Sequence, residues 1–390
     1  MKPSRTLQSL TTSVFSQMSL KKKEKLKQGQ DMVDLSIGSP DLPPPTFVKD
    51  CLSEEVQKDG EYGYPLTGTD EFKEAVSAFY GRRYHVDVSE REVLQLMGSQ
   101  EGLSHLAFAY LDPEDVVIVP DPGYPIYAAS VQIAGAEVYT VPLLEENDFL
   151  PKLEDIPEEI CQRAKMIVLN YPGNPIPALP TATFFESLID FARKHDILIV
   201  HDFAYSELIF DQVEPLSILS IPGAEDVAIE FNSLSKSFNM AGCRIGYLVG
   251  HTSLIEPLAV LKSHIDYGVF YPIQKAATLA LTKGDTFLEE HRHTYQTRRD
   301  MFMDALKQAG WHVQKPQGGM FVWGRIPAGW TSLDFALEAL EYGVVVTPGQ
   351  AFGAQGEGYV RMALVHDVDR LEEAAQRLKK MLEDHNSVRT

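Results

Sequence analysis

Cysteine is scarce in these 390 residues: Cys51, Cys161 and Cys243 are the only three. They are odd in number and far apart, which excludes a disulfide framework or a CxxC metal site and points to a reducing, cytoplasmic setting. Positive charge is also short. Against 55 acidic side chains stand 35 basic ones, a formal net charge of -20, so neither nucleic acid nor an anionic membrane, both of which call for a positive surface, is an expected partner. No apolar run reaches about 18 residues, so no membrane-spanning helix is expected. No Gly-x-Gly-x-x-Gly follows a strand, and Gly242, Gly246 and Gly250 have the wrong spacing for a dinucleotide fingerprint. Heptad arrays, internal repeats and low-complexity tracts are missing as well.

What is there suits a large globular protein. Hydrophobic residues make up 44% and charged ones 23%, enough for a sizeable core and more chain than one minimal domain needs. Residues 1–23 contain no Asp or Glu but carry Lys21, Lys22 and Lys23, which superficially suits a presequence. Leu7, Leu10, Val14, Phe15 and Met18 nevertheless recur at roughly helical spacing, and an amphipathic N-terminal arm of the mature protein is the expectation. From about residue 95 to 280, buried-strand runs (116–119, 166–169, 197–200, 227–231 and 245–249) are spaced by amphipathic stretches such as 101–111 and 183–193. Continuous apolar strands between helices predict an α/β sheet covered on both faces. After residue 285 a long charged helix (286–308), three short strands (320–323, 343–346, 359–363) and a last helix (368–382) predict a smaller α/β domain. The expected division is residues 48–284 for the large domain, and residues 1–47 with 285–390 for the small one.

Ligands of such sheets sit at the loops after the strands. Four of these loops carry polar groups that are individually bland. Lys236 follows an apolar run and precedes Arg244; a loop lysine is ordinarily a solvated charge. Asp202 closes the run 197–201 with Tyr205 three residues on; a strand-end Asp is more often a turn former or cap. Asn174 lies in an Asn/Pro/Gly cluster that by itself is a turn. Ser99 and Gln100 open a helix after Gly98, where free N–H groups favour an anion, though Ser there is commonly a simple cap. Together they match one cofactor. Pyridoxal phosphate needs an amine for a Schiff base, a carboxylate for its ring nitrogen, donors to its phenolate, an aromatic lid and a phosphate cup. Lys236, Asp202, Tyr205 with Asn174, Tyr124, and Ser99 with Arg244 supply that set.

On these residues the sequence resembles the class I/II aminotransferases of fold-type I pyridoxal-phosphate enzymes along nearly its whole length. Asp202 and Tyr205, then Ser233, Lys236 and Arg244, meet the family pattern; Asn174-Pro175 precedes them at a similar spacing, and Pro122-Gly-Tyr124 resembles the ring-stacking loop. Gly349 and Phe352 resemble the turn before the last strand, and Tyr359-Val-Arg361 the substrate-carboxylate arginine. The resemblance implies a mostly parallel seven-stranded sheet between helices plus a smaller domain from both termini. It implies a covalent imine at Lys236, a pyridinium held by Asp202, phenolate contacts from Tyr205 and Asn174, and a phosphate held by Arg244, Ser233, Ser235 and the amides of Ser99 and Gln100. Gly38 and Arg361 are expected at the substrate. A neighbouring subunit's tyrosine, Tyr64 in preference to Tyr62, is expected at the phosphate, hence a homodimer with composite sites. Two departures stand out: Ile176-Pro177 replaces the family's Thr-Gly after Asn-Pro, and Phe203-Ala204 stands where Glu-x is common.

The expected reaction is ping-pong transfer of an α-amino group from an L-amino acid to a 2-oxo acid, with 2-oxoglutarate and glutamate as the default pair. The segment 262–274 resembles LL-diaminopimelate aminotransferase-like proteins, and the general lay of the chain resembles bacterial alanine and methionine aminotransferases. Alternatives are a β- or γ-lyase on the same fold, which residue types hardly separate, and a non-catalytic sensor domain. The sensor reading is disfavoured because the resemblance begins near residue 30, with no room ahead of it for a basic DNA-binding segment.

Overall fold

The computed structural model describes residues 4, 6, 7 and 14–389. Leu10 and the side chains of Val14 and Phe15 lie outside them; of the expected apolar stripe, Leu7 is exposed and Met18 is buried. The strands are β1 (Val33–Asp34), β2 (Val93–Leu96), β3 (Val116–Asp121), β4 (Glu137–Pro142), β5 (Ala164–Leu169), β6 (Leu198–Asp202), β7 (Ala228–Ser233), β8 (Gly246–Gly250), β9 (Phe321–Arg325), β10 (Val344–Val345), β11 (Thr347–Pro348) and β12 (Tyr359–Ala363).

Seven strands form one sheet in the order β2-β8-β7-β6-β5-β3-β4. Pairing is parallel from β7 to β4, and β8 runs antiparallel to both its neighbours. The apolar runs read from the sequence are continuous because alternate residues feed two cores. Ile118, Ile167 and Ile199 enter a cluster with Phe185 and Leu188 on one face, while Val117, Val119, Val168 and Val200 pack with Leu106 and Tyr127 on the other.

Local signals place the covering helices. The Thr181 hydroxyl accepts the Phe184 N–H at 3.1 Å and starts helix Ala182–His195, which presents Phe185, Leu188, Ile189 and Ala192 to the sheet and stops at left-handed Asp196.

Two strands of the seven-stranded sheet escaped the sequence reading, as did the two-residue strands β1 and β11. Strand β4 is an edge strand in which exposed Glu137, Thr140 and Pro142 break up any apolar run, and β2 is only four residues long with Gln95 inside it. A smaller layer holds the antiparallel sheet β11-β12-β9 and the parallel pair β1-β10. Here Met18, Val33 and Leu35 share one apolar cluster with Phe302, Leu306, Phe321, Leu371 and Leu378, so the N-terminal arm and the C-terminal elements have a common core.

Candidate active site

Strand polarity gathers the site. The C-terminal ends of β2, β3, β5, β6 and β7 lie along one edge of the sheet and lead into Ser99, Tyr124, Asn174, Asp202 and Lys236 respectively. Because β8 is reversed, it is the residues before its first strand position that reach the same edge, and Arg244 stands there. Helix Ser99–Tyr110 begins at this edge.

The result is a cavity of about 420 Å³ between this edge, the Ser36–Ser39 segment and Arg361 of β12. Its lining includes Gly38, Ser99, Gln100, Tyr124, Asn174, Asp202, Tyr205, Ser233, Ser235, Lys236, Arg244 and Arg361. The structure therefore brings together every sequence-selected site residue except Tyr64, whose side chain is exposed elsewhere on the chain. One local expectation is corrected. Lys236 is not in an irregular loop but in a single helical turn, Leu234–Ser237, because the Ser233 hydroxyl accepts the Ser235 N–H at 3.2 Å and caps it.

At one end of the cavity the groups suit an anion. Gly98, at φ +83°, precedes the helix without any capping side chain, which leaves the Ser99 and Gln100 amides directed outward. A Cβ at Gly98 would stand 2.5 Å from Nη2 of Arg244, so glycine is what lets the guanidinium approach the helix start. Arg244 is held there by the carbonyls of Ala241 (3.0 Å) and Met97 (3.4 Å).

Asp202 lies deeper. Burial pushes its carboxyl up, opposed by the Tyr127 hydroxyl, which donates to Oδ2 at 2.7 Å, and by the Ala204 amide. Lys236 donates from Nζ to the Gly38 carbonyl. Burial, then the positive charges of Arg361 and Arg244, push its amine down to about 8, with Asp202 acting in the opposite sense.

Arg361 is buried; its Nη1 donates to Asn174 Oδ1 at 2.8 Å and its Nη2 to the Ser36 carbonyl at 2.6 Å. Burial lowers it to about 10, and its Nε has no partner. The guanidinium lies 4.3 Å over the Phe321 ring and 5.0 Å over that of Phe352. A fork that stays positive at neutral pH and has spare donors, facing a cavity, suits a carboxylate.

Residues that the sequence reading missed complete the site. Tyr127 touches Asp202, and Asn170 ties Asp202 to Asn174: its Nδ2 donates to the Asp202 carbonyl at 2.6 Å and its Oδ1 accepts the Asn174 amide at 2.8 Å. Asn170 was visible as the first polar residue after a buried run. Tyr127 carried no signal beyond lying one turn from Tyr124. The Ile176-Pro177 departure has a structural use: Ile176 is buried, and the Pro177 carbonyl accepts the Gln317 amide at 3.1 Å, joining the loop to the C-terminal part of the chain. Phe203, at the other departure, fills the core behind the strand end.

The donor set fits pyridoxal phosphate: an amine, a buried carboxylate, a tyrosine and an asparagine, and an arginine with free helix-terminal amides for a phosphate. Comparison with known proteins agrees. The family model "Aminotransferase class I and II" matches residues 30–378. The chain is 42% identical over 385 residues to the LL-diaminopimelate aminotransferase of Moorella thermoacetica, covering 98% of this chain and 99% of that one. It is 45% identical over 379 residues to the enzyme of the same name from Oleidesulfovibrio alaskensis, covering 96% and 98%. Among solved structures, substrate-bound BacF of Bacillus subtilis superposes with a TM-score of 0.94 at 35% identity, covering 97% and 98% of the two chains. A probable N-succinyldiaminopimelate aminotransferase of Thermus thermophilus superposes with 0.91 at 36% identity, covering 95% and 100%. On sequence, fold and site chemistry alike, this chain belongs to the class I and II aminotransferases, fold-type I enzymes that use pyridoxal phosphate to transfer amino groups.

Proposed function

We propose that this aminotransferase exchanges an α-amino group between LL-diaminopimelate and the 2-oxoglutarate/glutamate pair. The observation that carries the catalytic reading is the facing of Lys236, Asp202, Arg244 and Arg361 into one cavity. The donor is suggested by relatives 41–45% identical that bear the name LL-diaminopimelate aminotransferase.

When bound, pyridoxal phosphate supplies an electron sink for the charge left by the departing α-proton. Arg244, Ser233, Ser235 and the Ser99 and Gln100 amides hold its phosphate, and the Asp202 carboxylate keeps its ring nitrogen protonated by opposite charge. Tyr127 fixes the orientation of that carboxylate. Tyr205 and Asn174 would donate to the phenolate oxygen, and Tyr124 would cover the ring face. Lys236 is the amine that would hold the cofactor's aldehyde end, and its free amine would serve as the base that takes the proton from the substrate Cα. Arg361 grips the substrate α-carboxylate, beside the Gly38 main chain.

Two features of assembly belong to the same reading. Tyr62 donates its hydroxyl to its own chain's Val56 carbonyl at 2.8 Å, whereas Tyr64 is exposed and its ring leans on Tyr267 at 5.1 Å. Tyr64 is thus the better candidate to reach a partner's phosphate in a homodimer. The division into residues 48–284 and residues 1–47 with 285–390 is supported by the shared apolar cluster of the two termini. No helix is long and apolar enough to cross a membrane among the described residues. The three free cysteines favour a reducing cytoplasm.

The test is spectroscopic. Purified enzyme is mixed with a panel of amino donors and the cofactor's absorbance is followed, then 2-oxoglutarate is added. LL-diaminopimelate and glutamate should each convert the bound cofactor to its amine form, and 2-oxoglutarate should reverse it. Ammonia release without a reversible half-reaction would replace transfer by elimination, and conversion by other donors but not by LL-diaminopimelate would refute the donor.

A further inference from the structure

The single helical turn that carries Lys236 is too short to satisfy the lysine's own carbonyl. The amides of Phe238 and Met240 both turn back to Leu234. The Lys236 carbonyl accepts instead from Nε2 of His291, 3.0 Å away on helix Asp285–Gln308. A carbonyl can only accept, so this contact places the ring proton on Nε2 and leaves Nδ1 as an acceptor. Nδ1 is buried and has no partner, and the His291 side chain as a whole is 3% exposed.

The ring is fixed on both sides. It stacks on Phe287 at 5.3 Å with planes 15° apart and meets Tyr295 edge-on at 5.0 Å. Phe287 stacks in turn on Phe238, two residues past the lysine, at 6.1 Å. The charged groups facing the imidazole are Arg298 and Asp41, which pair with each other through two hydrogen bonds of 2.7 and 2.8 Å. Burial pushes the imidazole down to about 4, more than the Lys236 carbonyl and Asp41 raise it, so the ring is neutral at working pH.

The same helix grips the other end of the cavity. Arg298, two turns on from His291, donates to the carbonyl of Leu364 at 3.1 Å, three residues past Arg361. One rigid element thus references both the main chain of the amine and the strand of the carboxylate-binding guanidinium.

We propose that His291 is a positioning residue for Lys236: its Nε2–H locks the lysine's carbonyl to helix Asp285–Gln308, so that the amine emerges between Arg244, Arg361 and Asp202. The inference rests on the reading of Lys236 as the reactive amine. Packing alone would not need a donor; an aromatic ring would serve as well in the stack.

Two variants separate these roles. His291→Phe keeps the stack and removes the donor, while His291→Gln restores an N–H donor without the ring. In the apoprotein, acetylation of Lys236 is followed against pH by mass spectrometry. Wild type and His291→Gln should show a midpoint near 8, and His291→Phe should move it upward by about one pH unit as the amine leaves the neighbourhood of the two guanidinium groups. In the loaded enzyme His291→Phe should lower kcat about tenfold with little change in KM, and His291→Gln should recover most of it.

A His291→Phe chain with the wild-type midpoint and kcat would overturn the proposal. So would equal losses in both variants that follow their melting temperatures, which is the signature of packing. If wild-type Lys236 itself forms no borohydride-reducible band with the cofactor, the reading of Lys236 fails and the proposal falls with it, a result told apart because it needs no variant.

Discussion

At the scale of single residues, the site is an arrangement of charges whose ordinary values are displaced by their neighbours. The Lys236 amine, pushed down to about 8 by burial, Arg361 and Arg244, is an example with a measurable consequence. Only the neutral amine attacks an aldehyde, and the neutral fraction grows as pH rises through the folded-state value. Capture of pyridoxal phosphate by the apoprotein should therefore accelerate about fivefold from pH 7 to 8 and level off above pH 9. A stopped-flow record of the visible band checks this; acceleration that continues to pH 10 would mean an ordinary lysine. Asp202 answers to the same logic from the other side. Burial raises it and the Tyr127 hydroxyl holds it down, so its charge depends on a residue that lies far away in sequence.

At the scale of elements, the site depends on where a few segments begin. Helix Ser99–Tyr110 starts at a glycine whose positive φ and missing Cβ let Arg244 close on the first turn. Gly98→Ala would both strain the backbone and drive a methyl group into the guanidinium. The expected outcome is a cofactor affinity weaker by about tenfold or more, roughly the value of one charge-assisted contact, with the fold retained. Titrating the apoprotein with pyridoxal phosphate and, separately, with inorganic phosphate measures it: the two affinities should fall together, because the lesion lies at the anion end. The reversed strand β8 has a comparable role. A parallel β8 would send its preceding residues to the opposite edge of the sheet and leave Arg244 out of reach of the cavity.

At the scale of the molecule, folding and site are linked through helix Asp285–Gln308. His291 is held neutral by burial, with a folded value of about 4 against an unfolded one near 6.5. Above pH 6.5 neither state takes the proton and the contribution is complete. As pH falls from 6.5 towards 4 the unfolded chain binds a proton that the folded one refuses, and stability is lost, up to about 3 kcal/mol. Urea midpoints at pH 7 and 4.5 should show this loss in the wild type and a shallower slope in His291→Gln. The proposed homodimer gives a second molecular-scale expectation. If Tyr64 reaches a partner's phosphate, Tyr64→Phe should leave the sedimentation coefficient of a dimer unchanged and weaken cofactor affinity about fivefold. Tyr62→Phe, whose hydroxyl serves its own chain, should not; a monomeric and active wild type would remove the basis for both.

The sequence alone determined the α/β class, the central strands, the cofactor and nearly the whole set of cavity residues. Buried parallel strands write themselves as continuous apolar runs, and the groups that touch a charged ligand must be particular polar residues at strand ends. Asp202 after 197–201 and Asn174 after 166–169 were legible for that reason. Tertiary structure decided what depends on contacts between distant segments. Edge strand β4 lacks a second neighbour and so shows no apolar run; Tyr127 and His291 act through Asp202 and the Lys236 carbonyl, and nothing in their local sequence announces such partners. A hydrogen bond made across the fold leaves no period and no spacing in the chain, whereas burial on both faces of a sheet does.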